Sequence, residues 1–219
     1  MCYGFFKKLL FIIALMDGIK NIIFDLGGVL IDVDYHKTEE AFVQLGVPYF
    51  HKMFKQDHSS ELFELLETGK ISETDFYDAF RKETETVFTN QQIEFAWNAM
   101  LGDFWMNRIE WLEEIKTRYK IYLFSNTNII HYKCFDGIFG KQFQHQHFNS
   151  LFIKAYYSHE LGMRKPYTES YLHILREQGL NPSETLFIDD TIKNIEGAKK
   201  VGLQTIHLDK GQSLIALEV

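Results

Sequence analysis

Apolar positions in this chain fall into short runs separated by stretches of helical spacing. Asn21–Asp25 is an apolar run that ends in an acid and is followed by Gly27 and Gly28. It predicts a buried parallel strand running into a tight turn. From about Tyr35 to Asn107 the period lengthens. Thr38–Leu45, Ser59–Glu67, Asp75–Lys82 and Asn90–Met100 carry apolar residues three and four apart, which predicts four helices. Gly69 interrupts this stretch, and Ser72 with Asp75 three positions on reads as a helix start. Ile109–Tyr119 predicts a further helix. Lys120–Phe124 predicts a second buried strand, ending in Ser125-Asn126-Thr127-Asn128. Ala155–Ser158 predicts a third strand, and Thr168–Gln178 a helix stopped by Gly179. Thr185–Ile188 predicts a fourth strand, ending in Asp189-Asp190. Asn194–Val201 then reads as a helix closed by Gly202, and Gln204–His207 as a fifth strand.

Strands alternating with helices predict an α/β fold with a doubly wound parallel sheet. The helical block between the first two strands then becomes an insertion over the sheet edge. The expected organisation is an N-terminal extension at 1–19, a Rossmann-like core at 20–32 and 106–219, and a helical cap at 33–105. Lys7 and Lys8 precede the apolar run Leu9–Leu15, which resembles a signal peptide in miniature. The run lacks a small-residue cleavage site and is too short to span a bilayer.

Composition narrows the class. The chain has 219 residues, 46% hydrophobic and 24% charged, as in an ordinary globular protein. Its net charge of −7 argues against a nucleic-acid partner, which would need clustered Lys and Arg. Cys2 and Cys134 alone make no disulfide framework, so a cytoplasmic location is the plain expectation, with no membrane partner. Oligomeric state is open.

The candidate chemistry sits at strand ends. Asp25, Asp189 and Asp190 would meet at one sheet edge, where carboxylates repel unless a hard cation binds, and Mg²⁺ suits oxygen ligands. Asp25 could also attack an electrophile. Lys165 supplies a compact positive charge, and Ser125 and Asn126 supply hydroxyl and amide donors. Each residue alone has an ordinary alternative as a turn, a helix cap or a surface charge. Their order and shared placement favour catalysis, and in-line positioning with charge stabilisation is most of what phosphoryl transfer needs.

Ile22-Ile23-Phe24-Asp25-Leu26-Gly27-Gly28-Val29, Leu123-Phe124-Ser125-Asn126, Lys165-Pro166 and Phe187-Ile188-Asp189-Asp190 resemble the four motifs of the haloacid-dehalogenase superfamily. Ser125-Asn126-Thr127-Asn128, Leu161-Gly162-Met163-Arg164-Lys165-Pro166 and Asn194-Ile195-Glu196-Gly197-Ala198 are similar to its bacterial α-D-glucose-1-phosphate phosphatase subgroup, as is Gly69-Lys70-Ile71-Ser72. The resemblance covers about residues 20 to 208. It implies an aspartyl-phosphate intermediate on Asp25, with Lys165 neutralising charge and Ser125 and Asn126 holding the phosphoryl group. It also implies Mg²⁺ ligands from Asp25, the Gly27 carbonyl and Asp190, with Asp189 direct or through water. A small phosphate ester such as glucose 1-phosphate is the expected substrate.

One departure matters. Most phosphatases of the superfamily carry a second Asp two positions after the nucleophile, as acid and base. Here that position is Gly27. The resembling subgroup also carries Gly there. Asp32, Asp34 and His36 lie close in sequence as substitutes, though ordinary loop polarity is the plainer reading. Two alternatives follow: a metal-independent 2-haloacid dehalogenase, and a non-catalytic phosphosugar-binding module. Tyr35, His36 and Lys37 are candidate cap residues at the entrance. His145 and His147 are expected to be loop residues rather than metal ligands.

Overall fold

The computed structural model describes residues 18–55, 58–144 and 147–209. Its elements run β1 (Asn21–Phe24), β2 (Ile31–Val33), α1 (Tyr35–Leu45), β3 (Phe54–Lys55), β4 (His58–Ser59), α2 (Glu61–Glu67), α3 (Glu73–Thr84) and α4 (Asn90–Asn98). They continue with β5 (Leu101–Phe104), α5 (Met106–Ile115), β6 (Lys120–Ser125), α6 (Ile129–Gln142), β7 (Lys154–Tyr157), α7 (Ser158–Leu161), α8 (Thr168–Gln178), β8 (Thr185–Asp189), α9 (Ile192–Lys200) and β9 (Gln204–His207).

The five core strands lie in the order β7-β6-β1-β8-β9, and every pair is parallel. The chain winds outward from β1 to β7, then crosses to β8 on the other side of β1. The order therefore reverses at β1, and the carboxyl ends of β1 and β8 flank the crevice. Alternate side chains of each strand enter opposite layers. Ile22, Phe24, Ile121, Leu123, Leu186 and Ile188 pack against Ile109, Leu112 and Ile115 of α5. Ile23, Tyr122, Phe124 and Phe187 pack against Tyr171 and Ile174 of α8 and Ile195 of α9.

The helical cap rises on an antiparallel stem, β2 with β5, in which Ile31 faces Phe104 and Val33 faces Leu101. Its helices α1–α4 surround a second apolar cluster containing Phe42, Phe50, Phe63, Phe76, Phe80 and Trp97. Phe42 and Phe50 stack at 4.2 Å. Local sequence sets the helix starts. Asp34 caps α1, and capping boxes open α3 (Ser72 with Asp75) and α4 (Thr89 with Gln92).

The helix α6 and the β2–β5 stem go beyond the elements that periodicity predicts. The reason is physical. Ile130 of α6 joins the cap cluster, whereas Phe135 and Phe139 join the core cluster. A helix serving two cores carries no single apolar stripe. No helix among the described residues is long and apolar enough to cross a membrane. Residues 1–17, His145 and residues 210–219 lie outside the described residues.

Candidate active site

The crevice at the ends of β1 and β8 holds a tight ionic cluster. Asp25, Lys165 and Asp189 are all nearly sealed from solvent, at 8%, 1% and 0% exposure. The Lys165 Nζ lies 2.7 Å from Asp25 Oδ1 and 2.7 Å from Asp189 Oδ2. A buried ammonium between two carboxylates is stable only with this geometry, because desolvating each charge costs several kcal/mol.

Burial pushes the Asp25 carboxyl up to about 8; Lys165 opposes the rise, and Asp189 and Asp190 add to it. Burial and Asp189 likewise raise the Asp190 carboxyl. Burial disfavours the Lys165 ammonium, but Asp189 and Asp25 outweigh it and hold its pKa above the ordinary value. The cluster thus has more negative charge than Lys165 neutralises. Oxygens of Asp25, Asp189 and Asp190 all lie within 4.8 Å of one another, a spacing that a hard divalent cation can bridge.

Asp189 is held from three further directions. Its oxygens accept from Thr191 N at 2.8 Å and from Asn194 Nδ2 at 3.0 and 3.1 Å. Asp190 lies against Gly28, which adopts φ +68°; a Cβ there would sit 2.2 Å from Asp190 Oδ2. Glycine at 28 therefore serves both backbone conformation and close approach. At Gly27, an added Cβ would come within 3.3 Å of Val33 Cγ2, so the cap stem crowds this position.

The polar motif after β6 divides its work. Ser125 ends the strand, buried beside the cluster. Asn126 donates to Lys165 O at 3.0 Å and accepts from Lys165 N at 2.9 Å, so its amide grips the backbone that carries the lysine. Thr127 is tied to the Ser158 hydroxyl by both its N–H and its carbonyl. Asn128 caps α6 by accepting from Ile130 N and His131 N. Gly197 lets α9 approach the same loop, since a Cβ there would meet Pro166 O at 2.3 Å.

Three nearby acids and bases have other partners. Asp34 caps α1 through His36 N. Asp32 lies against Gly102 in the stem. His36 is exposed and faces Glu39 at 3.9 Å. Periodicity and motif reading gave Arg164 and Glu67 no role of their own. Arg164 Nη1 lies 3.3 Å from Glu64 Oε1 and 3.0 Å from Glu67 Oε2, linking the lysine loop to the cap helix α2. Only their adjacency to Lys165 and Gly69 hints at this in one dimension. His131 is a second core-to-cap link. It stacks on Trp97 at 4.5 Å, and its Nε2 meets Trp97 O at 3.1 Å.

Known proteins resemble this chain in sequence and fold. The profile of the haloacid dehalogenase-like hydrolases matches residues 19–202. The chain is 31% identical to D-ribitol-5-phosphate phosphatase of Bacteroides thetaiotaomicron, over 88% of this chain and 93% of that protein. It is 29% identical to a sesquiterpene phosphatase of Aspergillus oryzae, over 86% and 89%. The crystal structure of a HAD family enzyme of Bacteroides thetaiotaomicron, in complex with magnesium and inorganic phosphate, superposes with a TM-score of 0.82 at 32% identity, covering 90% of this chain and 97% of that one. L-2-haloacid dehalogenase of Xanthobacter autotrophicus shares the fold, with a TM-score of 0.59 at 18% identity over 91% of this chain and 86% of that one.

Proposed function

Because the chain belongs to the haloacid dehalogenase-like hydrolases, we propose that it is an Mg²⁺-dependent phosphatase of small sugar or polyol phosphate monoesters, with Asp25 as nucleophile. The observation that carries this reading is the cluster of Asp25, Asp189 and Asp190 around one lysine at the switch point of the sheet. Relatives named as phosphatases, and one crystallised with magnesium and phosphate, support it. Glucose 1-phosphate and D-ribitol 5-phosphate are both candidate substrates.

Asp25, Asp190 and the Gly27 carbonyl would hold the ion. Asp189 already accepts from Lys165, Thr191 and Asn194, and would serve the ion directly or through water. When bound, Mg²⁺ neutralises the carboxylates and polarises the phosphoryl oxygens. Asp25 attacks phosphorus, and the bond to the leaving oxygen breaks, that oxygen taking its proton from water. Lys165 holds the nucleophile and balances charge on the phosphoryl oxygens. Ser125, with donors of Asn126, positions that group. Water then cleaves the aspartyl phosphate and frees phosphate and Asp25. Residue 27 has no proton to offer, which favours a leaving group of low basicity such as an anomeric oxygen. The adjacent acids Asp189 and Asp190 argue against metal-free dehalogenation.

The test is phosphate release from a panel of phosphorylated sugars and polyols, with Mg²⁺ and with EDTA, beside Asp25→Asn. Release that needs both Mg²⁺ and Asp25 is the expected result. Chloride release from 2-haloacids in EDTA, or Mg²⁺ binding without any turnover, would overturn it.

A further inference from the structure

We propose that Tyr35 and Glu67 of the cap form a hydroxyl-reading subsite for the leaving group, selecting a polyhydroxylated chain over a hydroxyl-free one. This rests on the phosphatase reading and deepens it.

The cap is pinned at this spot by backbone contact. Gly69 adopts φ +63°, and a Cβ there would sit 2.0 Å from the His159 carbonyl oxygen. No side chain fits between the cap loop and the core. That contact fixes the last turn of α2, where Glu67 stands. Glu67 Oε2 is held 3.0 Å from Arg164 Nη1, and Arg164 immediately precedes Lys165. The Glu67 carboxylate therefore stands beside the loop that carries the catalytic lysine.

Tyr35 opens α1 of the cap. Val33 brings its Cγ2 within 3.3 Å of the Cβ position of Gly27. Asp34 is extended, at φ −123° and ψ 96°. Alternation along the extended chain then places Tyr35 on the face that Val33 turns toward Gly27. The Tyr35 ring packs on Phe54 at a centroid distance of 6.1 Å. Its hydroxyl has no hydrogen-bond partner among the described residues. Burial, together with Asp190, Asp25 and Glu67, opposes ionisation of this phenol, so it stays a proton-bearing donor. Burial likewise raises the Glu67 carboxyl against the pull of Arg164.

A phenol that can donate and accept, and a carboxylate that accepts, are complementary to hydroxyls on a short chain. A site built to bond a hydroxyl discriminates strongly against an analogue lacking it, because its own polar groups are left unpaired.

The experiment compares kcat/KM for two esters: D-ribitol 5-phosphate and the hydroxyl-free pentyl phosphate. Wild type, Tyr35→Phe and Glu67→Gln are measured, each checked for folding by thermal unfolding. The polyol-to-pentyl ratio is expected to fall about tenfold in each variant. A proportional loss on polyol and pentyl esters, or an unchanged ratio, overturns the subsite while leaving the phosphatase intact. Equal wild-type turnover of ribitol and pentyl phosphates also overturns it. No release by wild type from these esters or from glucose 1-phosphate overturns the phosphatase reading, and the subsite falls with it.

Discussion

Asp190 lies so close to Gly28 that its Oδ2 would be 2.2 Å from any Cβ at that position. The turn after β1 and the acid after β8 are thus shaped to each other. Gly28→Ala is expected to displace Asp190 and weaken Mg²⁺ affinity about 10- to 100-fold, as read by calorimetric titration. Gly18→Ala is the control. Gly18 has φ +87° with nothing within 4 Å of its Cβ position. Both variants suffer backbone strain of about 1–3 kcal/mol, but only the first changes metal affinity.

Among the described residues, Lys165 is the one cation bonded to both Asp25 and Asp189. Lys165→Met leaves buried carboxylates without their partner. A loss of about 3–5 kcal/mol in unfolding free energy is expected without metal, and turnover should vanish. Denaturant titration with EDTA and with Mg²⁺ checks this, and Mg²⁺ should restore part of the stability. An undiminished unfolding free energy in EDTA would show that the lysine does not offset the acids.

The Asp25 carboxyl is raised to about 8, from 3.8. Between those values the metal-free folded state binds more protons than the unfolded chain, so this group lowers stability as pH rises. Asp25→Asn removes the penalty. In EDTA the variant should therefore unfold at a higher temperature than wild type at pH above 8. The gap, worth roughly a few kcal/mol, should close as pH falls toward 4. A pH-independent gap would contradict the assignment.

His131 behaves in the opposite sense. Burial pushes it down to about 4 from 6.5, with the Trp97 carbonyl opposing. Between those values the unfolded chain binds more protons, so the stability of the neutral folded form is lost as pH falls through that window. Relative to His131→Gln, wild type should lose roughly 3 kcal/mol across it. Urea unfolding at several pH values measures the difference. A constant difference would place His131 in contact with water.

Much of the core was legible in one dimension. A run such as Ile22-Ile23-Phe24 is apolar on both faces, as only a strand covered by helices on both sides can be. The acids and polar residues that follow β1, β6 and β8 could be placed at one edge because parallel strands point the same way. Capping at Ser72 was legible because it is local. The helix α6 was not, since its apolar residues divide between two cores, Ile130 in one and Phe135 in the other. The β2–β5 stem pairs residues far apart in sequence, such as Ile31 and Phe104, and no local period records that.

By itself the sequence determined which residue types stand at the ends of the strands, because side-chain periodicity and glycine conformation are local properties. Only the tertiary structure decided how those residues divide the work. Asn126 grips the Lys165 backbone, Asp189 is held by Asn194, and Glu67 meets Arg164 from the cap. Each of these contacts depends on loops that meet only after the sheet has wound and the cap has docked. Electrostatic energies at that depth depend on distances of a few ångströms and on burial, and neither is encoded in any single segment.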